Sequence, residues 1–205
     1  MLKDPLAIEK ESFRIIAEEL GPHRFSDLEF PIVRRVIHAS ADFEFAKNIV
    51  FHPAAIERGL EAIRSGKGVV CDVEMVKAGV NKAGLGKYGG DTHCFISDPE
   101  VIEEAKREGV TRAIVSMRKA AAQCEGAIIA IGNAPTALFE MISLIREGRA
   151  RPALVIGVPV GFVSAAESKD ELAGLDWPHI ACRGRKGGSP VAVSIVNALI
   201  KLAEW

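Results

Sequence analysis

Net charge is almost absent from this 205-residue chain, in which 26 Lys and Arg face 27 Asp and Glu for a formal charge of −1. No field of one sign draws the molecule as a whole to nucleic acid or to an anionic membrane, so any charged partner must be met locally. Aromatic residues are scarce at 6%, which speaks against the aromatic belts of a membrane protein. No run of about 18 uncharged apolar residues occurs, and the opening segment is interrupted by Asp4, Glu9 and Glu11, unlike a secretory signal. Cys71, Cys94, Cys124 and Cys182 are far apart, with neither CxxC nor CxxH spacing. Zinc knuckles and redox dithiols are thereby excluded, and buried free thiols in a reducing cytoplasm are expected. The nucleotide and hydrolase motifs GxGxxG, Walker A, GxSxG and HExxH are missing, and the acidic residues form no metal-binding cluster. The expectation is a protein with neither cofactor nor metal.

What is present is a chain of 48% hydrophobic residues, of a size for one domain with an ample core. Apolar residues at helical spacing predict a helix over 5–20, stopped by Gly21-Pro22. A second helix follows Ser26, which forms a capping box with Glu29 and leads into the apolar face of Ile32, Val33, Val36 and Ile37; His38 stands near its end. A third is predicted over 53–65, with glycines suited to a left-handed cap after it. The first quarter thus reads as helical.

From Gly68 the pattern changes to short apolar runs at 69–71, 94–96, 127–131, 153–156 and 180–182. They are apolar on both faces, as buried parallel strands are. Helices are predicted between and after them at 99–108, 112–123, 135–147, 161–172 and 189–202. The expected fold class is α/β, a three-layer doubly wound domain with about five mainly parallel strands and an N-terminal helical addition. Residues 1–66 form the helical part and 67–205 the sheet core of one domain.

In such sheets ligands bind beyond the carboxyl ends of the strands. The turn from Gly132 through Asn133 to Thr136 offers amides at a helix start, with Pro135 at its first position. Arg183 to Ser189 holds Arg183, Arg185, Lys186 and three glycines, among them Gly188, directly before the last predicted helix. Amides, helix dipole and cations there suit an anion. The loop from Gly84 to Gly90, near Lys82 and Lys87, reads as a second cationic segment and a possible mobile lid. His23, His52 and His179 read as structural, and His93 ranks after His38 as an acid or base. Ser12, Ser116, Ser164 and Ser194 lack an activating neighbour in sequence. Residue patterns alone stop at an anion-friendly crevice.

The segments RRVIHA at 34–39, CDVEMV at 71–76, AIGNAPTAL at 130–138, GVPVGFVSAAESK at 157–169 and GRKGGS at 184–189 together resemble the precorrin-8X methylmutase family. This family, also called cobalt-precorrin-8 methylmutase, belongs to cobalamin biosynthesis, and the resemblance runs from about Asp4 to Leu202. It implies an isomerase that moves a methyl group between neighbouring carbons of ring C in a tetrapyrrole, a sigmatropic shift that yields hydrogenobyrinate or cobyrinate. It further implies His38 as the proton donor or acceptor near ring C, Ser12 as a hydrogen-bonding partner of the ring system, and Arg112 as partner of a side-chain carboxylate. Asn133, Arg185, Lys186, Gly188 and Ser189 complete the expected substrate-binding set. The implied partners are a polycarboxylate tetrapyrrole, its corrin product and a second copy of the chain; no cofactor, nucleic acid or membrane is expected. The competing readings are a non-catalytic corrinoid carrier and a sugar-phosphate enzyme using the 183–189 loop.

Overall fold

The computed structural model describes residues 4–123 and 125–205; Cys124 and the first three residues of the opening segment lie outside the described residues. In chain order the elements are α1 (Pro5–Leu20), α2 (Glu29–Ser40), α3 (Phe45–Asn48), β1 (Ile49–Phe51), α4 (Ala55–Arg64), β2 (Val69–Cys71), α5 (Glu74–Gly79), α6 (Lys82–Gly86) and β3 (Thr92–His93). They continue as α7 (Pro99–Glu108), α8 (Arg112–Gln123), β4 (Ile128–Ile131), α9 (Pro135–Arg146), β5 (Leu154–Gly157), α10 (Ala165–Ala173), β6 (His179–Cys182) and α11 (Ser189–Leu202).

One six-stranded sheet has the order β1-β6-β5-β4-β2-β3 among the described residues. Every pairing is parallel except the edge pair β1 with β6, where Ile49 lies opposite Cys182. Successive residues of a strand enter different cores, as the pleat requires. Ile128, Ala130, Leu154 and Ile156 join the core beneath α2, α4 and α11, while Ile129, Ile131 and Val155 join the one beneath α8, α9 and α10. Helices therefore cover both faces, which is the expected three-layer α/β class.

Pro5 inside the first turn and Gly21 at φ 63° bound α1 where the sequence placed its ends. The Ser26 capping box forms: the Glu29 carboxylate accepts from the Ser26 amide at 2.9 Å, and Ser26 Oγ accepts from the Glu29 amide at 3.3 Å. Four expectations are corrected. The first quarter is not wholly helical, because Ile49–Phe51 pairs along β6 as an edge strand. The strand expected at 94–96 lies at Thr92–His93, after which a turn closes with the Asp98 amide donating to the Phe95 carbonyl. The helix expected from Gly161 begins at Ala165, since the Gly161 amide is tied to the Arg185 carbonyl. The segment read as a lid opens with the last three residues of α6 and continues as a turn, with Gly84 and Leu85 buried.

Candidate active site

His38 is placed by a helix whose opposite face is fixed in the core. Ile32, Val33, Val36 and Ile37 are all buried, leaving His38 exposed and turned toward α1. There its ring meets Phe13 with centroids 5.3 Å apart and planes at 74°. Ser12, the preceding residue, is half-buried, and its hydroxyl donates to the Ile8 carbonyl at 2.9 Å. The helix ends at Ala41 in a left-handed conformation, with its amide bonded to the Ile37 carbonyl. Ser40 Oγ donates to the Val36 carbonyl and accepts from the Asp42 amide. The end of α2 is thereby locked.

The lock extends to the loop after β6. Lys186 Nζ donates to Asp42 at 2.6 Å and to Glu44 at 2.8 Å. These bonds hold both carboxyls below the usual range and push the Lys186 ammonium up. Lys186, expected to bind substrate, is engaged here by two internal carboxylates. Arg185 lies over the Phe162 ring at 5.5 Å, and among the described residues it forms no ion pair. Behind the loop, Lys169 is fully buried and donates to the Lys186 carbonyl at 2.8 Å; burial lowers its ammonium to about 8. The loops after β5 and β6 are zipped by the Gly188 amide on the Val158 carbonyl and the Gly161 amide on the Arg185 carbonyl. Beyond this zipper Phe162 and Val163 project, 84% and 82% exposed.

Gly188, at φ 122°, precedes the buried Ser189 that starts α11. A Cβ on Gly132 would stand 2.8 Å from Ser189 Cα, so the β4–α9 turn and the start of α11 press together. The order of strands reverses between β2 and β4, the place where doubly wound sheets hold anionic ligands. Here the protein fills it with its own carboxylate. Asp72, completely buried, accepts from the amides of Gly132 at 3.0 Å, Asn133 at 2.8 Å and Ala134 at 2.9 Å. Burial pushes the Asp72 carboxyl up, and the three amides oppose that rise. The free amides expected at this turn are therefore already satisfied, whereas the Asn133 side chain is exposed. Thr111 and Thr136 share a hydroxyl contact at 3.1 Å, which sets Arg112, first residue of α8 and exposed, beside the start of α9.

Three separate links thus tie these elements together: the Asp42–Lys186 pair joins the end of α2 to the loop after β6, the approach of Gly132 to Ser189 joins the β4–α9 turn to the start of α11, and the Thr111–Thr136 contact joins α9 to the start of α8. A groove of about 1020 Å³ lies elsewhere: Phe51, His52 and Ser65 line it at the amino ends of β6 and β2. Volume points away from the chemistry, and the convergence of polar side chains is the better guide. His52 bonds Asp176, His179 bonds the Trp177 carbonyl and His23 stacks on Phe30. Cys71, Cys94 and Cys182 are buried free thiols whose pKa burial raises. Sequence reasoning missed Asp72 and Lys169. A signal for the second exists: Ala165, Ser168, Lys169 and Leu172 follow one buried helical stripe, so a charge sits at a core position.

Comparison with known proteins gives consistent results. The precorrin-8X methylmutase family profile matches residues 7–202. The chain is 60% identical over 200 residues to cobalt-precorrin-8 methylmutase of Priestia megaterium, covering 98% of this chain and 89% of the relative. It is 50% identical to the protein of that name from Leptospira interrogans, covering 96% and 93%. Among solved structures, precorrin-8x methyl mutase from Thermus thermophilus superposes with a TM-score of 0.89 at 44% identity, covering 97% of this chain and 98% of that one.

Proposed function

This chain belongs to the precorrin-8X methylmutase family, and from that premise we propose that His38 serves as its proton donor or acceptor at ring C of a polycarboxylate tetrapyrrole. As a methylmutase it is an isomerase of cobalamin biosynthesis, and its reaction is the migration of a methyl group from C11 to C12 of precorrin-8X or cobalt-precorrin-8. The bond to C11 breaks as the bond to C12 forms within one molecule. No electron acceptor and no protein nucleophile take part, and what the protein supplies is orientation and polarisation of the ring.

The observation that carries the assignment is His38 itself: an exposed imidazole on a helix whose other face is buried and whose end is tied to the strand-end loops. A rigid support under a reactive group is what a positioned proton transfer needs. Ser12, one residue before Phe13, approaches the ring system, and the exposed Arg112 and Arg185 pair with its carboxylates, with Asn133, Gly188 and Ser189 along the same rim. Lys186 is assigned to holding the loop. The exposed apolar side chains Phe162 and Val163 offer a surface for a macrocycle or for a second subunit, and Leu6, Ile8 and Ile15 of α1 support a homodimer. No described helix is long and apolar enough to cross a membrane, consistent with work in the cytoplasm. The carrier and sugar-phosphate readings find no support among relatives that are named as methylmutases.

The test is incubation of purified protein with the metal-free and the cobalt forms of the precursor, following the visible spectrum to the corrin product. His38→Ala should bind product with near-normal affinity and give no turnover. Turnover equal to that of the parent would remove His38 from the mechanism.

A further inference from the structure

Three arginines lie close together between α1 and α2, and two of them have found carboxylates. Arg14 is paired with Glu11 and Glu18, and Arg35 with Glu9 at 3.1 Å. Arg34 has none: among the described residues it makes no hydrogen bond or ion pair, and its Nε is buried without a partner. Its guanidinium rests over the face of Phe13 at 4.3 Å and near that of Phe30 at 5.4 Å. The rings hold it in place without neutralising it, and burial, followed by the charge of Arg35, lowers its pKa, with the Glu9 carboxylate, itself paired to Arg35, opposing in part. A half-buried cation that lacks an anion is costly to keep unless a ligand supplies one.

The surroundings fit such a ligand. Arg34 borders an open cavity of about 380 Å³, whose other charged walls are Glu9, Lys10 and Arg14. Once the internal pairs are discounted, Lys10 and Arg34 remain, so the cavity is cationic. Arg34 also precedes His38 by four residues, one helical turn on the same face, and both side chains meet Phe13.

We propose that Arg34, with Lys10 beside it, forms a carboxylate subsite for a side-chain arm of the substrate, on the edge of the macrocycle presented to His38. This rests on the polycarboxylate substrate inferred above and adds a specific place for one of its arms. The aromatic rings fix the planar fork of the guanidinium before the ligand arrives, which favours two-point binding of a carboxylate.

Binding of the corrin product hydrogenobyrinate, and of the same corrin with its carboxylates converted to amides, is titrated by visible absorption in the parent, Arg34→Met and Arg34→Lys. Met keeps the contact with the rings and removes the charge. The Met variant should bind the carboxylate form about tenfold or more weakly and the amide form as the parent does, with Lys recovering part of the loss. Equal affinity of parent and Met variant for the carboxylate form would overturn the subsite. A parent that binds neither form overturns the polycarboxylate reading itself, and the subsite with it. Independently of any substitution, the Nε–H resonance of Arg34 in the parent should move downfield when product is added; an unmoved resonance at saturation also overturns the subsite.

Discussion

Lys186 Nζ lies 2.6 Å from the carboxylate of Asp42, four residues beyond His38. Glu44 holds the same ammonium at 2.8 Å, and Lys169 holds the Lys186 carbonyl from the opposite side. One residue therefore couples the end of the histidine-bearing helix to the loop after β6, its backbone fixed from the core and its side chain fixed from the surface.

If that coupling is what Lys186 contributes, Asp42→Asn weakens a pair that Lys186→Met removes together with the Glu44 pair. Each should lower kcat by about three- to tenfold, and the double variant should fall no further than the weaker single one. Steady-state kinetics on the three proteins provides the check. Losses that multiply would show that Lys186 meets the substrate independently of Asp42.

Asp72→Asn tests the filled switch point between β2 and β4. Its two oxygens serve the amides of Gly132, Asn133 and Ala134, and an amide group in place of one oxygen turns a donor toward a donor. Leaving one or two buried amides unsatisfied should cost about 2–4 kcal/mol. Urea unfolding should show a lower midpoint at an unchanged slope, together with reduced turnover as Asn133 loses its support.

The long elements were legible because their signals are local. Pro5 and Gly21 bracket α1, and Ser26 with Glu29 announces α2. β1 and β3 were misread because three and two residues carry no periodicity, and each becomes a strand only by pairing with a neighbour distant in sequence. The same holds at the site. His38 and the loop 183–189 stand out from their neighbours, but nothing near Asp42 indicates a lysine 144 residues away, and nothing near Gly132 indicates that a carboxylate 60 residues earlier takes its amide. A turn with free donors and a turn already satisfied look alike in sequence. Lys169 was detectable only as a charge within an apolar stripe.

Gly132→Ala probes how closely the two turns must approach. The added Cβ would meet Ser189 Cα at 2.8 Å and its amide nitrogen at 3.0 Å. Backbone atoms at the start of a long buried helix cannot yield as a flexible side chain can, so the start of α11 must move away from the β4–α9 turn. Overpacking of this kind costs about 1–3 kcal/mol. A lower melting temperature and a raised KM should appear together, whereas parent-like values of both would show that the gap between Gly132 and Ser189 is not needed.

Lys169→Met separates stability from function through its pH dependence. Burial lowers the folded-state ammonium to about 8, against 10.5 as the ordinary value. A lysine whose folded pKa is depressed penalises folding fully below pH 8, where it must be carried charged in the core, and the penalty fades as pH rises from about 8 toward 10.5. The parent should therefore gain about 2 kcal/mol relative to the Met variant between pH 7 and pH 10. Near neutral pH the Met variant loses a buried charge and leaves the Lys186 carbonyl without its donor, opposing effects that should leave its stability close to that of the parent. Turnover should fall all the same, because the loop carrying Arg185 and Lys186 is no longer tied to α10. Chemical denaturation of both proteins across that pH range, with turnover measured at pH 7, decides the matter: a stability difference that does not change with pH would mean that Lys169 titrates as an ordinary surface lysine.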